Sequence, residues 1–348
     1  MKLGARIFKT GISITLALYI CSFFDLDGGI FAAIAAALAI QPSLFRSWHY
    51  SIEQIQANII GAVLAILVTF TIGNQPIIIA LTVMLVIALN IQFKLERTIT
   101  IAIVTVLAIM ESSEIDFFLF AINRFSLILI GVLSSIVVNA LFIPPKYEDR
   151  LLQKIRSLRE SINLLCRIVL DEDTEDRTTR EDVVIMTKHL DEIKSLFSLF
   201  QEERRYFGKR TFEIKRRMVV IRTMIETATV GLQSLKTISH HHITLTRNQH
   251  PFIDQLRQLL EQLAHYQEKI YLKFDGRIRA QHPHVKDEEI VFTTAQLIRS
   301  VFEEGITDQE DKLHHLINLL PVVAMIQEYH EQLDRLDKIV DQYFTYHQ

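Results

Sequence analysis

Charge is scarce in the first 145 residues of this 348-residue chain. They hold Lys2, Arg6, Lys9, Arg46, Lys94, Arg97 and Arg124, against Asp25, Asp27, Glu53, Glu96, Glu111, Glu114 and Asp116. The whole chain carries 37 Lys and Arg and 40 Asp and Glu, so the rest lie beyond residue 145. Cysteine is scarce too. Cys21 and Cys166 fall on opposite sides of that boundary and build no disulfide framework; each reads as a small core residue. Catalytic signatures are missing: GxSxG, CxxC and a Gly-rich dinucleotide fingerprint do not occur. Gly208-Lys209 lacks the earlier glycine and the following Ser or Thr of a phosphate loop. An enzyme is therefore not expected, nor a cofactor.

Two further classes fall away. Arg204, Arg205, Lys209, Arg210, Lys215, Arg216 and Arg217 are interspersed with Glu202, Glu203 and Glu213. That is a charged helix face rather than a nucleic-acid patch, though it leaves room for anionic lipid headgroups. His240-His241-His242, His250, the pair His282 and His284, and His314-His315 have no cysteine or HExxH pattern beside them, and adjacent loop histidines do not converge on one ion. No metal is expected.

What is present is apolar length. Runs at about 7–24, 28–45, 54–72, 76–93, 98–113 and 118–143 approach the roughly 20 residues a spanning helix needs. The second and fifth are the shortest, and the second runs into Pro42. Lys2, Arg6 and Lys9 ahead of the first run imitate a signal peptide, but apolar sequence resumes at once, so 7–24 reads as the first span. Loop charge then orients the chain. Lys2, Arg6, Lys9, Arg46, Lys94, Arg97, Lys146 and Arg150 share one side; Asp25, Asp27, Glu111, Glu114 and Asp116 share the other. Positive loops stay cytoplasmic, which places both termini inside a plasma membrane. Trp48 and Tyr50 inside, with Phe117, Phe118 and Phe120 outside, match interfacial aromatic belts.

Small residues at four-residue steps, Gly29, Ala33 and Ala37, then Ala57, Gly61 and Ala65, allow close helix packing. Polar residues repeat on helical faces: Gln54 with Asn58, Asn90 with Lys94, and Arg124 with Gly131, Ser135 and Asn139. Arg124 lies inside the outer end of the sixth span, where arginine is costly unless it meets protein, water or a counter-ion. Snorkelling to the outer headgroups or pairing with Asp116 or Glu114 is one reading; an anion-attracting group in a water-filled path is the other. Arg46 and Lys9 stand similarly at the inner mouth. No carboxylate occupies the middle of a span, Glu53 coming nearest, which argues against simple proton antiport and for anionic cargo.

Residues 146–348, after Pro144-Pro145, read as a second domain that is helical throughout. Helices are expected near 146–170, 180–203, 206–239, 250–275, 287–304 and 309–346, with no strand alternation. Phe252, Leu256, Leu259, Leu263, Tyr266 and Ile270 step 4-3-4-3-4, a coiled-coil-like seam. Residues 171–176 form an acidic linker, and Pro321 should kink or split the last helix. The fold class is all-α: a six-span bundle (1–145) followed by a cytoplasmic antiparallel helical bundle (146–348).

Several of these features together resemble a family. The short basic N-terminus, the six runs, Ala39-Ile40-Gln41-Pro42-Ser43, Arg46, and Asn58-Ile59-Ile60-Gly61-Ala62 opening the third span resemble the bacterial aromatic acid exporter family. That family lies within the fusaric-acid-resistance-like superfamily, and the helical 146–348 region resembles the C-terminal domain of its short members. The resemblance implies a homodimer, because longer relatives carry two six-span units. It also implies export of aromatic carboxylates. A distant likeness to plant aluminium-activated malate channels keeps a passive anion channel open. The expected function is export of a small organic anion through a lipid bilayer, with Arg124 attracting the carboxylate and Gln54, Asn58, Asn139 and Arg46 along the path. A membrane-anchored scaffold or sensor acting through the cytoplasmic bundle is the rival from another class.

Overall fold

A computed structural model describes residues 3–111, 117–142, 147–170, 176–206, 212–246, 251–278, 288–303 and 309–345. Every regular element among them is a helix. The chain divides into two compact units, Met1–Pro145 with Arg205–Phe207, and Lys146–Arg204 with Gly208–Gln348.

The first unit contains α1 (Leu3–Phe23), α2 (Gly29–Ala39), α3 (Leu44–Thr71), α4 (Pro76–Gln92), a 3-10 turn (Glu96–Thr98), α5 (Ile99–Glu111) and α6 (Phe117–Leu141). Its helices are turned inside out relative to a water-soluble protein. Phe23, Phe70, Ile77 and Leu119 are exposed while Ser13, Gln54, Asn58, Asn90 and Arg124 are buried, the distribution expected where the solvent is lipid. Arg6–Phe23, Leu44–Thr71 and Leu119–Leu141 are long and apolar enough to cross a membrane. The other three helices are shorter: α2, α4 and α5 have 11, 17 and 13 residues.

The second and third helices depart most from the expected bounds. Instead of running to residue 45, α2 stops at Ala39, and Ile40 is extended at φ −72°, ψ 105°. Pro42 has no N–H to give the carbonyl four residues back; that carbonyl, on Leu38, accepts instead from the Gln41 side chain at 3.2 Å, so the helix does not continue. Ser43 then caps a new helix by accepting from the Arg46 amide at 3.1 Å, so α3 starts ten residues earlier than expected and reaches 28 residues. At its other end α2 starts from Gly28, whose φ of 86° suits glycine alone without strain.

Packing in this unit runs α1 and α2 against α6, α6 against α3, α3 against α5, and α5 against α4. The closest approach is α2 to α6. A Cβ on Gly131 would fall onto the Ala32 carbonyl oxygen and 2.8 Å from the Ala35 Cβ. Ala57, Gly61 and Ala65 are buried as their spacing implies, but on α2 the fully buried stripe is Ala32, Ala35, Ala36 and Ala39, while Gly29, Ala33 and Ala37 are half-buried. With α1 on one side of α2 and α6 on the other, the buried face is wider than a single four-residue stripe. Cys21 is buried against this layer.

Helix ends sort by charge. The starts of α1, α3 and α5 meet the ends of α2, α4 and α6, as Lys9–Asn139, Ser47–Gln41 and Thr98–Glu53 contacts require. Lys9, Arg46, Lys94 and Arg97 lie at this basic end. Asp25, Asp27 and Glu111 lie at the opposite end, where Asn123 donates to the Asp27 carbonyl and Asn74 to that of Met110.

The second unit contains α7 (Tyr147–Ile168), α8 (Asp176–Tyr206), α9 (Phe212–Thr246), α10 (Pro251–Phe274), α11 (Glu288–Glu303) and α12 (Gln309–Thr345). Leu151, Ile155, Leu158, Ile162 and Leu165 of α7 recur every three or four residues and bury one face, the amphipathic period of a helix. The α10 seam Phe252, Leu256, Leu259, Leu263 and Ile270 is buried, with Tyr266 packed beside it, and Cys166 joins the same core. α9 and α12 run antiparallel: Thr227 and Ser234 hydroxyls donate to the Gln332 and Met325 carbonyls at 3.5 and 2.9 Å. Contrary to a split at Pro321, α12 is continuous through it; the buried neighbours Leu319, Val322 and Val323 hold the helix across the missing hydrogen bond. Glu114, Asp116, Pro144, Pro145, residues 171–175, Gly208, Lys209, His250, His282 and His284 lie outside the described residues.

Candidate functional site

Four buried polar residues of the first unit lie on one face of α3. Ser47, Ser51, Gln54, Ala57, Asn58, Gly61 and Ala65 are its buried residues. Steps of four, three, four, three and four from Ser47 through Asn58 to Ala65 hold one side of a helix. The half of that face nearer the basic end is hydrogen-bonding and the far half is small. Trp48, Ile52, Ile59, Val63 and Leu67 cover the outside.

At the basic end four segments are tied together. Lys9 Nζ on α1 donates to Asn139 Oδ1 on α6 at 3.0 Å. Asn139 Nδ2 donates to Ser47 Oγ on α3 at 2.8 Å and lies 3.4 Å from the Gln41 carbonyl. The Ser47 hydroxyl donates to the Ala39 carbonyl at 2.9 Å and accepts from the Gln41 amide at 2.9 Å. The break after α2 thus exposes backbone groups that side chains from two other helices satisfy, which is how irregular backbone is tolerated among apolar helices.

Deeper along α3, Asn58 donates to the Gln54 carbonyl at 2.8 Å, and its oxygen accepts from the Thr105 hydroxyl of α5. Gln54 is fully buried and neither atom of its amide has a hydrogen-bond partner among the described residues. Asn90 of α4 donates to the Val86 carbonyl at 2.8 Å, leaving its oxygen without one.

Arg124 is 3% exposed on α6. Its guanidinium carbon lies 2.9 Å from the centre of the Phe31 ring of α2, a cation held on an aromatic face. Nε and Nη1 are buried with no hydrogen-bond partner among the described residues. Its sequence-suggested partners, Glu114 and Asp116, are not described. The arrangement can accept an anion, because a buried guanidinium gains most from a charge-assisted hydrogen bond.

These candidates form two groups rather than one. Asn139 joins the basic-end cluster, with Gln54 and Asn58 about two and three turns along α3 from Ser47. Arg124 lies fifteen residues before Asn139 on α6, about 22 Å at 1.5 Å per residue. Arg46 sits in the first turn of α3, half-buried, one residue off the polar face. Sequence reading missed Ser47, Phe31 and Thr105. Ser47 was within reach, since it continues the Gln54 and Asn58 spacing backward; Phe31 and Thr105 carry no local signal.

A family model described as "Aromatic acid exporter family member 1" matches residues 1–142. The UPF0421 protein YgaE of Bacillus subtilis (strain 168) is 40% identical over 347 residues, covering 100% of this chain and 97% of the relative. The UPF0421 protein BH2644 of Halalkalibacterium halodurans is 26% identical over 206 residues, 59% of this chain and 58% of its own. The UPF0421 protein SSP0904 of Staphylococcus saprophyticus is 32% identical over 163 residues, 47% of each chain.

Proposed function

The chain belongs to the aromatic acid exporter family, and from that premise we propose that it is a plasma-membrane carrier moving organic carboxylate anions, aromatic ones among them, out of the cell. In this reading α1–α6 make six crossings with both termini cytoplasmic, residues 146–348 form a cytoplasmic bundle, and the working form is a homodimer. The shorter α2 and α5 cross by packing against longer neighbours. No catalytic step is assigned to it.

One observation carries the proposal: a buried arginine whose Nε and Nη1 lack a hydrogen-bond partner among the described residues, the single charged residue of α6. An inert anchor gains nothing from such a group, which costs at least about 2.5 kcal/mol in hydrocarbon. A carboxylate would satisfy it, and the polar face of α3 would continue the path to the basic end. Expelling one negative charge from an inside-negative cell gains about 2.3 kcal/mol per 100 mV, so no nucleotide is needed.

The test is efflux of a labelled aromatic carboxylate from vesicles holding purified protein under an imposed potential. Saturable, potential-driven flux that Arg124→Ala abolishes is expected. Large unsaturable currents would favour an anion channel. No flux of any tested anion would move the function to the second unit as a scaffold or sensor.

A further inference from the structure

We infer that the unit holds a second, inner carboxylate site: a layer of three hydroxyls, Ser13, Ser51 and Ser135, one helical turn deeper than the Lys9–Asn139–Ser47 hydrogen bonds. Ser13 lies four residues after Lys9 on α1, Ser51 four after Ser47 on α3, and Ser135 four before Asn139 on α6. α1 and α3 leave the basic end whereas α6 arrives at it, so all three steps point the same way, about 6 Å into the unit. Residues four apart lie on one helix face. The contacts that join Lys9, Ser47 and Asn139 therefore bring the three serines to a common layer.

The layer is buried and unused by its own helices. Ser13, Ser51 and Ser135 are 0%, 1% and 0% exposed, and none of their hydroxyls has a hydrogen-bond partner among the described residues. Thr10, Thr15, Thr71 and Thr82 of the same unit each donate to the carbonyl four residues back, the ordinary recourse of a hydroxyl in an apolar helix; Ser134 and Thr69 also lack a partner among the described residues, but neither falls on the four-residue steps from Lys9, Ser47 and Asn139. Gln54, three residues beyond Ser51, adds a buried amide whose two polar atoms are also without partners. Buried donors left unmade are costly, so a guest belongs in this layer. A carboxylate only accepts, and matches three hydroxyl donors and an amide donor, with the Lys9 charge one turn away. Arg124 and this layer then form the two ends of a path.

The inference rests on the transport reading, and its test reads binding apart from flux. Trp48 is the single tryptophan and adjoins Ser47. The full chain in nanodiscs is titrated with benzoate while Trp48 emission is followed. A saturable change is expected, with its midpoint raised at least about tenfold in Ser13→Ala/Ser51→Ala/Ser135→Ala; Ser51→Ala alone raises it severalfold and serves if the triple variant does not fold. No saturable change in the wild type, meaning that the layer holds water only, overturns the inference, as does a midpoint that the serine variants leave unmoved. A response lost in the variants of a protein that shows no efflux would uphold the inner site and remove the transport reading. Efflux without a response would do the reverse.

Discussion

Lys9 Nζ meets Asn139 Oδ1 at 3.0 Å across 130 positions of chain, so the first helix and the last of the N-terminal unit are tied at their basic ends. The same asparagine donates to Ser47, which makes it the hub of three helices.

Asn139→Ala removes the acceptor of the Lys9 ammonium and the donor to Ser47. Hydrogen bonds to charged groups contribute about 1.5–3 kcal/mol, and the variant is expected to lose about 2 kcal/mol. Thermal unfolding of the solubilised protein, compared with Asn123→Ala at the opposite end, measures it.

Gly131→Ala places a Cβ on the Ala32 carbonyl oxygen. The nearest atom there is backbone, which cannot rotate away, and the next is the Ala35 Cβ, so α2 and α6 must separate. Overpacking of this kind costs about 1–3 kcal/mol. We expect a lower melting temperature and faster proteolysis between α2 and α3, whereas Gly11→Ala, with nothing near its Cβ, leaves both unchanged.

Arg124→Lys keeps the charge but loses the planar group stacked on Phe31. Lysine and arginine are not interchangeable at a stacked site. Efflux in the vesicle assay is expected to fall at least about tenfold with insertion unchanged; full activity in this variant would mean that charge alone matters there.

Lys273 of α10 pairs with Asp337 at 2.6 Å and Asp341 at 3.3 Å on α12. Burial pushes its pKa down, but the hydrogen bond and charge of Asp337, with those of Asp341, outweigh it, and the pKa is raised. A raised folded pKa gives stability that is fully present below the unfolded value, about 10.4, and lost as pH rises through the folded one. The wild type should therefore lose stability above about pH 10.4, and Lys273→Met, weaker by about 3 kcal/mol at neutral pH, should lack that decline. Urea unfolding across pH 7–11 reads both.

Much of the fold was legible because it is written locally. The period of Leu151, Ile155, Leu158 and Ile162 and the seam of α10 each define a helix face from neighbours within one or two turns. The end of α2 is less legible: the apolar run extends past Pro42 to residue 45, and hydropathy does not register a missing backbone donor. Pro321 leaves two outcomes open within the expected 309–346 helix, a kink or a split, and the split does not occur: α12 runs through it from Gln309 to Thr345.

By itself the sequence determined an apolar first part and a charged second part, their helicity, and the gathering of basic residues at one set of helix ends, all of which depend on composition and short periodicities. Only the tertiary structure decided that Asn139 meets Lys9 and Ser47, that Arg124 lies on Phe31 far from them, and that Gly131 lets α6 touch the α2 backbone. Those contacts join positions about 90 to 130 residues apart, and they arise from how helices of unequal length pack in three dimensions, which no run of neighbouring residues encodes.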